Sequence, residues 1–144
     1  MKKIVLLLAV SLTTWGAFAS EVKVDPRILK AFQNDFATAN NVRWSVRSEF
    51  VIAEFVLNEQ HVNAYYSHEG ELIALARFIS TSILPINLQA NLKRSYSDYW
   101  ISELIEVTKN NTITYYATVE SGEVVVKLKA LAGNDWIRYE KKEK

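Results

Sequence analysis

One pattern runs through this chain twice: the signal for a short amphipathic helix, then the signals for four strands. In the first occurrence Asp25-Pro26 reads as a helix start, because an Asp side chain can accept from an orphan amide and Pro has no amide to leave orphaned. Ile28, Leu29, Phe32 and Phe36 follow on one apolar stripe, and Ala39-Asn40-Asn41 closes the helix. The period then drops to two. Val42, Trp44 and Val46 alternate with Arg43, Ser45 and Arg47, as on a strand with one dry face. "RSE" turns into "FVIAEFVL", Asn58-Glu59-Gln60 joins that to "HVNAYY", and His68-Glu69-Gly70 leads to "ELIALARFI".

The order then repeats. Leu84-Pro85 opens a helix whose Leu88, Leu92, Tyr96 and Tyr99 line one side. "ISELIEVT" turns at Lys109-Asn110-Asn111 into "TITYYATV", Ser121-Gly122 turns into "EVVVKLKAL", and Gly133-Asn134 leads to "WIRYEK". Asn110-Asn111-Thr112 also spells a glycosylation sequon, but in this setting it reads as a turn. The string "LKAFQNDF" from Leu29 is echoed by "LKRSYSDY" from Leu92, an offset of 63 that also relates Val42 to Ile105 and Gly70 to Gly133. In the middle strands an offset of 62 relates Val62 to Val124 and Tyr66 to Leu128. This predicts an α+β fold made by tandem duplication of a helix plus four-stranded antiparallel module. The helices would pack on one face of a single broad sheet of about eight strands.

The first nineteen residues read as an export signal: a basic "MKK", the apolar "IVLLLAVSLTTWGAF", and Ala17-Phe18-Ala19 as the cleavage site before Ser20. The remainder, residues 20–144, is expected to be a single compact domain built of repeats at about 25–80 and 84–144, periplasmic or secreted and with one modest core. Removing the leader takes Lys2 and Lys3 with it and leaves 15 basic against 16 acidic side chains. Such a balance gives nucleic acid no long-range pull. The chain has no cysteine, so packing rather than disulfides must hold an exported fold together. Four glycines and two prolines leave no room for a long flexible linker.

"NNVRWSV", "AEFVLNEQHVNAYYSHEGEL" and "LPINLQANLKRSY" together resemble the PepSY-like, or beta-lactamase-inhibitor-like, family of small exported proteins. The positions that carry the resemblance are Asn41, Val42, Trp44, Ala53, Phe55, Tyr65, Tyr66, Gly70, Glu71, Leu72, Leu84 and Pro85. The resemblance implies a duplicated α+β module with a broad sheet, and binding or inhibition of another periplasmic protein. It carries no catalytic residue across. In the second copy the Val-x-Trp becomes Ile105-Glu106-Val107, without the Trp.

The residues offer little chemistry. Without Cys or a Gly-x-Ser-x-Gly turn there is no obvious nucleophile, and no Asp lies near His61 or His68 in sequence to orient either. The glycines precede strands rather than helices, which argues against a phosphate loop. Glu103 and Glu106 fall on alternate faces of one strand, a poor pair for acid–base work. His61, His68, Glu69 and Glu71 supply metal-ligand types, but solvated hairpin residues explain them as well, and no metal or cofactor is expected.

What remains is the sheet face turned away from the helices. Period two points Trp44, Val51, Ala53, Phe55, Leu57, Val62, Ala64 and Tyr66 inward, with Ile113, Tyr115, Ala117, Val119, Val124, Val126 and Leu128 in the second copy. Glu54 and Glu106 are then expected outward. The expected partner-binding set is Arg43, Arg47, His61, Asn63, Tyr65, Thr114, Tyr116, Lys127 and Lys129, because Tyr mixed with Arg and Lys is what anchors protein interfaces. The functional expectation is a monomeric, non-enzymatic exported module that binds a periplasmic protein or peptide, possessing no membrane contact once the leader is removed. The alternative is a periplasmic small-molecule or metal binder, with the ligand between the copies or at the His61–His68 hairpin.

Overall fold

The computed structural model describes residues 22–144, so the leader lies outside the described residues. Helix α1 spans Pro26–Asp35 and α2 spans Ile86–Ser95, the latter preceded by a 3-10 turn at Thr81–Ile83. The strands are β1 Asn40–Val46, β2 Val51–Leu57, β3 Gln60–Tyr66, β4 Leu72–Phe78, β5 Trp100–Lys109, β6 Thr112–Glu120, β7 Val124–Leu131 and β8 Ile137–Glu143. They form one antiparallel meander in chain order, with each helix laid across the strands of its own copy. This is the duplicated α+β architecture that the paired patterns predict.

Local chemistry accounts for the elements. Asp25 caps α1 by accepting from the Arg27 amide at 2.8 Å, with Pro26 as the first helical residue. The two-residue turns after β2 and β5 need positive φ at both positions. Asn58-Glu59 (φ 48° and 64°) and Asn110-Asn111 (49° and 60°) supply it, and Asn tolerates that region better than most residues. The sequon is therefore a hairpin turn. In the β6–β7 connection the Ser121 hydroxyl accepts from the amides of Glu123 and Val124, which fixes that turn through a side chain.

The duplication is in a different register from the echo that suggests it. Ile28 and Phe32 are the buried residues of α1, and Leu88 and Leu92 those of α2, an offset of 60. Leu29 is 38% exposed whereas Leu92 is 5% exposed, so "LKAFQNDF" and "LKRSYSDY" are not equivalent segments. The offset of 60 holds into the first strand, where Trp44 sits opposite Ala53 and Leu104 opposite Ala117. In the two middle strands it becomes 64: Phe55 opposite Val62 corresponds to Val119 opposite Val126. Four extra residues in the β5–β6 hairpin make the change. Val46 opposite Val51 turns back at once, whereas the equivalent pair Glu106 and Tyr115 is followed by more ladder out to Lys109 and Thr112.

That extension joins the copies. Two of the four residue pairs between β4 and β5, Leu75 with Thr108 and Ala76 with Val107, use residues of the lengthened hairpin. It leaves the facing of β5 as in β1, because an even number of added residues keeps the alternation. Leu104 and Glu106 point to the helix side, so Glu106 is 9% exposed and does not face outward as expected. "ISELIEVT" has apolar residues at both parities, and pairing with the inward Ala117 and Tyr115 of β6 decides between them.

Two cores result where one was expected. Ile28 and Phe32 cover Val51, Ala53, Phe55, Val62, Ala64 and Tyr66, with Trp44 alongside. Leu84, Leu88 and Leu92 cover Leu104, Tyr115, Ala117, Val119, Val126, Leu128 and Ala130. The inward residues expected in both copies are all in or against these clusters. Leu104 occupies the place of Trp44, which accounts for the missing second Trp. Between the cores, on the helix side, Arg77 Nε donates to Glu106 Oε1 at 2.8 Å and its Nη1 to Gln60 at 3.0 Å.

Candidate functional site: the outer sheet face

Both helices pack on the same side, and alternation along each strand sends the remaining side chains to the other. Register locates them. Arg43 lies opposite Glu54, Glu54 opposite Asn63, and Asn63 opposite Ala76; one row over, Ile52 opposes Tyr65 and Tyr65 opposes Ala74. Val56 opposes His61. Across the seam Ala76 opposes Val107 and Phe78 opposes Ile105. Val107 then opposes Thr114, Ile105 opposes Tyr116, Tyr116 opposes Lys129, and Thr118 opposes Lys127.

Eight of the nine sequence-predicted residues thus share this face: Arg43, His61, Asn63, Tyr65, Thr114, Tyr116, Lys127 and Lys129. Arg47 does not lie on a strand. It lies in the β1–β2 turn, where its amide bonds the Phe50 carbonyl at 2.9 Å and its own carbonyl accepts from the His68 ring. The two tyrosines are held rather than loose. Tyr65 meets Phe50 edge-on at 5.6 Å between centroids, and Tyr116 meets Tyr139 edge-on at 6.3 Å. A ring braced by a neighbour loses less entropy when a partner packs on it.

Sequence reasoning missed the apolar content of this face. Phe78 is 57% exposed, Ile137 58% and Tyr139 49%. Ala74, Ala76, Ile105 and Val107 lie between Tyr65 and Tyr116, so the middle of the face carries no charge. The signal was present as period two in "LIALARF", but only pairing shows which parity faces out. Charges sit to either side. Lys127 pairs with Glu140 at 3.0 Å, and that hydrogen bond raises the Lys127 pKa. Glu120 is held below its ordinary value first by the Ser102 hydroxyl and then by Lys144, which lies 2.9 Å away. Lys129 has no ion-pair partner among the described residues.

The histidines do not converge on a ligand. His61 is on the outer face, while His68 Nε2 lies 3.1 Å and 3.2 Å from the carbonyls of Arg47 and Ser48, tying the β3–β4 turn to the β1–β2 turn. Among the described residues no three His, Asp or Glu side chains are grouped as metal ligands. A cavity of about 330 Å³ does lie between the copies, with Phe36, Leu57, Val62 and Leu75 as apolar walls and Arg77 and Glu106 as polar ones. No described helix is long and apolar enough to cross a membrane.

With this geometry in hand, the architecture can be matched to solved structures. A BLIP-like protein from Bacteroides fragilis superposes with a TM-score of 0.71 at 15% identity, over 86% of this chain and 89% of that one. The fold is that of the BLIP-like and DUF2874 proteins. A DUF2874 family protein from Bacteroides uniformis gives 0.75 at 12% identity, over 84% of this chain and 90% of its own. Another DUF2874 family protein, from Bacteroides ovatus, gives 0.73 at 14% identity, over 84% and 88%. At such identities the likeness is one of fold alone. No protein-family model matches the sequence, and no curated protein matches it.

Proposed function

We propose that this protein is a non-enzymatic exported binding module that holds another protein against the outer face of its sheet. The observation that carries the reading is a wide strand face uncovered by either helix, uncharged at its centre, with braced tyrosines on both flanks. Tyr and Phe in such a setting bury large area at small entropic cost. The leader supports export to the periplasm, and the likeness to a protein described as BLIP-like supports a protein as the partner. Lys129 and Arg43 are rim cations suited to steering and registering that partner rather than to supplying most of the affinity.

A pull-down from periplasmic extract with the wild type and a Tyr65→Ala/Tyr116→Ala variant tests the reading. The specific partner is expected to be lost with the variant and also with Phe78→Glu, both variants remaining folded by circular dichroism. Equal capture by all three proteins would place the interface elsewhere.

A further inference from the structure

The second surface of interest lies where the sheet splits at the junction of the copies. The β4–β5 ladder ends at Phe78 with Ile105, and the Ile79 amide makes one last bond to the Leu104 carbonyl at 3.0 Å. β5 begins earlier, at Trp100, and over residues 100–103 it pairs only with β6. Among the described residues no backbone hydrogen bond closes its other side there. An open ladder edge inside a sheet is a template for one more strand.

Exposed apolar side chains cluster at this edge: Ile86 82%, Trp100 51%, Ile83 49% and Ile101 37%. Lys144 Nζ lies 4.6 Å from the Trp100 ring, and Ser102 and Glu103 are the polar members of the edge. Cavities of about 510 Å³ and 340 Å³ adjoin it, and Thr81 and Ile101 line both. The fold does not require these residues. The first copy builds the same helix-to-strand join with Pro26 where the second has Ile86, and with Asn40-Asn41 where it has Trp100-Ile101. In the larger cavity the one charged lining residue is Lys93, which has no ion-pair partner among the described residues. On the helix side of the edge Ile86 and Ile101 share a cavity with this Lys93, while Glu103 is turned to the outer face, where it accepts from the Thr118 hydroxyl. That side suits an occupant with apolar side chains and a carboxylate.

We infer that residues 100–103 of β5 accept an extended apolar peptide segment of a partner protein as an added strand, its carboxylate placed at Lys93. This site adjoins the outer face at Phe78, which lines the smaller cavity, and is tested apart from it through Tyr65 and Tyr116, which line neither cavity. Main-chain hydrogen bonds would give affinity, and Ile86, Ile101 and Trp100 would select alternate apolar side chains.

The test uses the leader-free protein and a synthetic probe, acetyl-Thr-Val-Thr-Ile with a free C-terminal carboxylate, followed by ¹H–¹⁵N NMR. Saturable shifts are expected at the amides of residues 100–103 and at Lys93, and about tenfold weaker binding for the C-terminal amide of the same peptide. Lys93→Gln should abolish that tenfold preference. Trp100→Asn/Ile101→Asn, which imports the residues of the first copy, should remove binding while Tyr65→Ala/Tyr116→Ala leaves it intact. Absence of saturable shifts at residues 100–103, or equal binding of acid and amide, would overturn the inference. So would sedimentation showing a dimer that Ile86→Glu dissociates, since the occupant would then be a second copy of this chain.

Discussion

At the scale of single residues, each helix is fastened to its sheet by one aromatic hydrogen bond, and the two bonds use unrelated positions. The hydroxyl of Tyr66, itself wholly buried, donates to the Asp35 carboxylate at the end of α1 at 3.2 Å. Burial first, and then the charge of Asp35, push the Tyr66 pKa far above its ordinary value, so it remains a donor throughout the working pH range. The equivalent position in the second copy is Ala130, which cannot donate. There Trp136 Nε1 donates to the Leu88 carbonyl at 3.0 Å instead. Tyr66→Phe is expected to cost ~1.5–3 kcal/mol, a charged acceptor making the stronger bond, and Trp136→Phe ~1 kcal/mol for the bond alone. Urea titration of the two variants checks both the sizes and their order.

At the scale of elements, α1 and α2 begin differently although they do the same work. Asp25 caps α1 through its side chain, and no side chain caps α2, whose N-cap is Pro85. The hydrogen bond from the Arg27 side chain, with that from its amide, holds the Asp25 carboxyl below its ordinary value of 3.8. A depressed folded-state pKa means that the capping contribution is fully present above pH 3.8 and fades as the pH falls through the lower folded value. Asp25→Ala should therefore melt a few degrees below the wild type at neutral pH, and the gap should close as the solution is acidified below that value. Thermal melts followed at the helix band across pH 2–7 would read this; a gap independent of pH would mean that the carboxylate is not the cap. Gly70 and Gly133 also belong to this scale. With φ of 93° Gly70 ends the β3–β4 turn, and with φ of 89° Gly133 stands one place before Asn134, which closes the corresponding β7–β8 turn; both are in a region that L-residues rarely occupy.

At the scale of the whole molecule, the seam is what makes two modules one sheet. Arg77 and Glu106 are paired across it between the cores, with side chains 37% and 11% exposed. Removing one partner strands the other in a place water reaches poorly, so Arg77→Met or Glu106→Leu alone should destabilise by ~2–3 kcal/mol, reduced from the fully buried case because Arg77 is partly solvated. The double variant Arg77→Met/Glu106→Leu should recover most of that, because apolar packing of similar volume replaces a desolvated pair at little net cost. A double-mutant cycle by denaturant titration checks the recovery; additive losses would mean that the two side chains act separately.

Much of this architecture could be read from the chain. Helix starts and stripes, strand periods and turn residues depend on neighbours within a few positions, so Asp25-Pro26, the Ile28–Phe32 stripe and the Asn turns were legible locally, as was the inward set of β2, β3, β6 and β7. The order of elements revealed the duplication even though the echoed string that drew notice pairs residues that are not equivalent. What the chain could not disclose is whatever depends on which strand lies beside which. Four added residues in one hairpin supplied half of the pairs across the seam, pairing with β6 turned Glu106 to the helix side, and the end of β4 at Phe78 left β5 with an open edge. Facing and edge are properties of pairing between segments, set where β5 meets β6 and where β4 stops short of it, and a strand with apolar residues at both parities carries no local record of that choice.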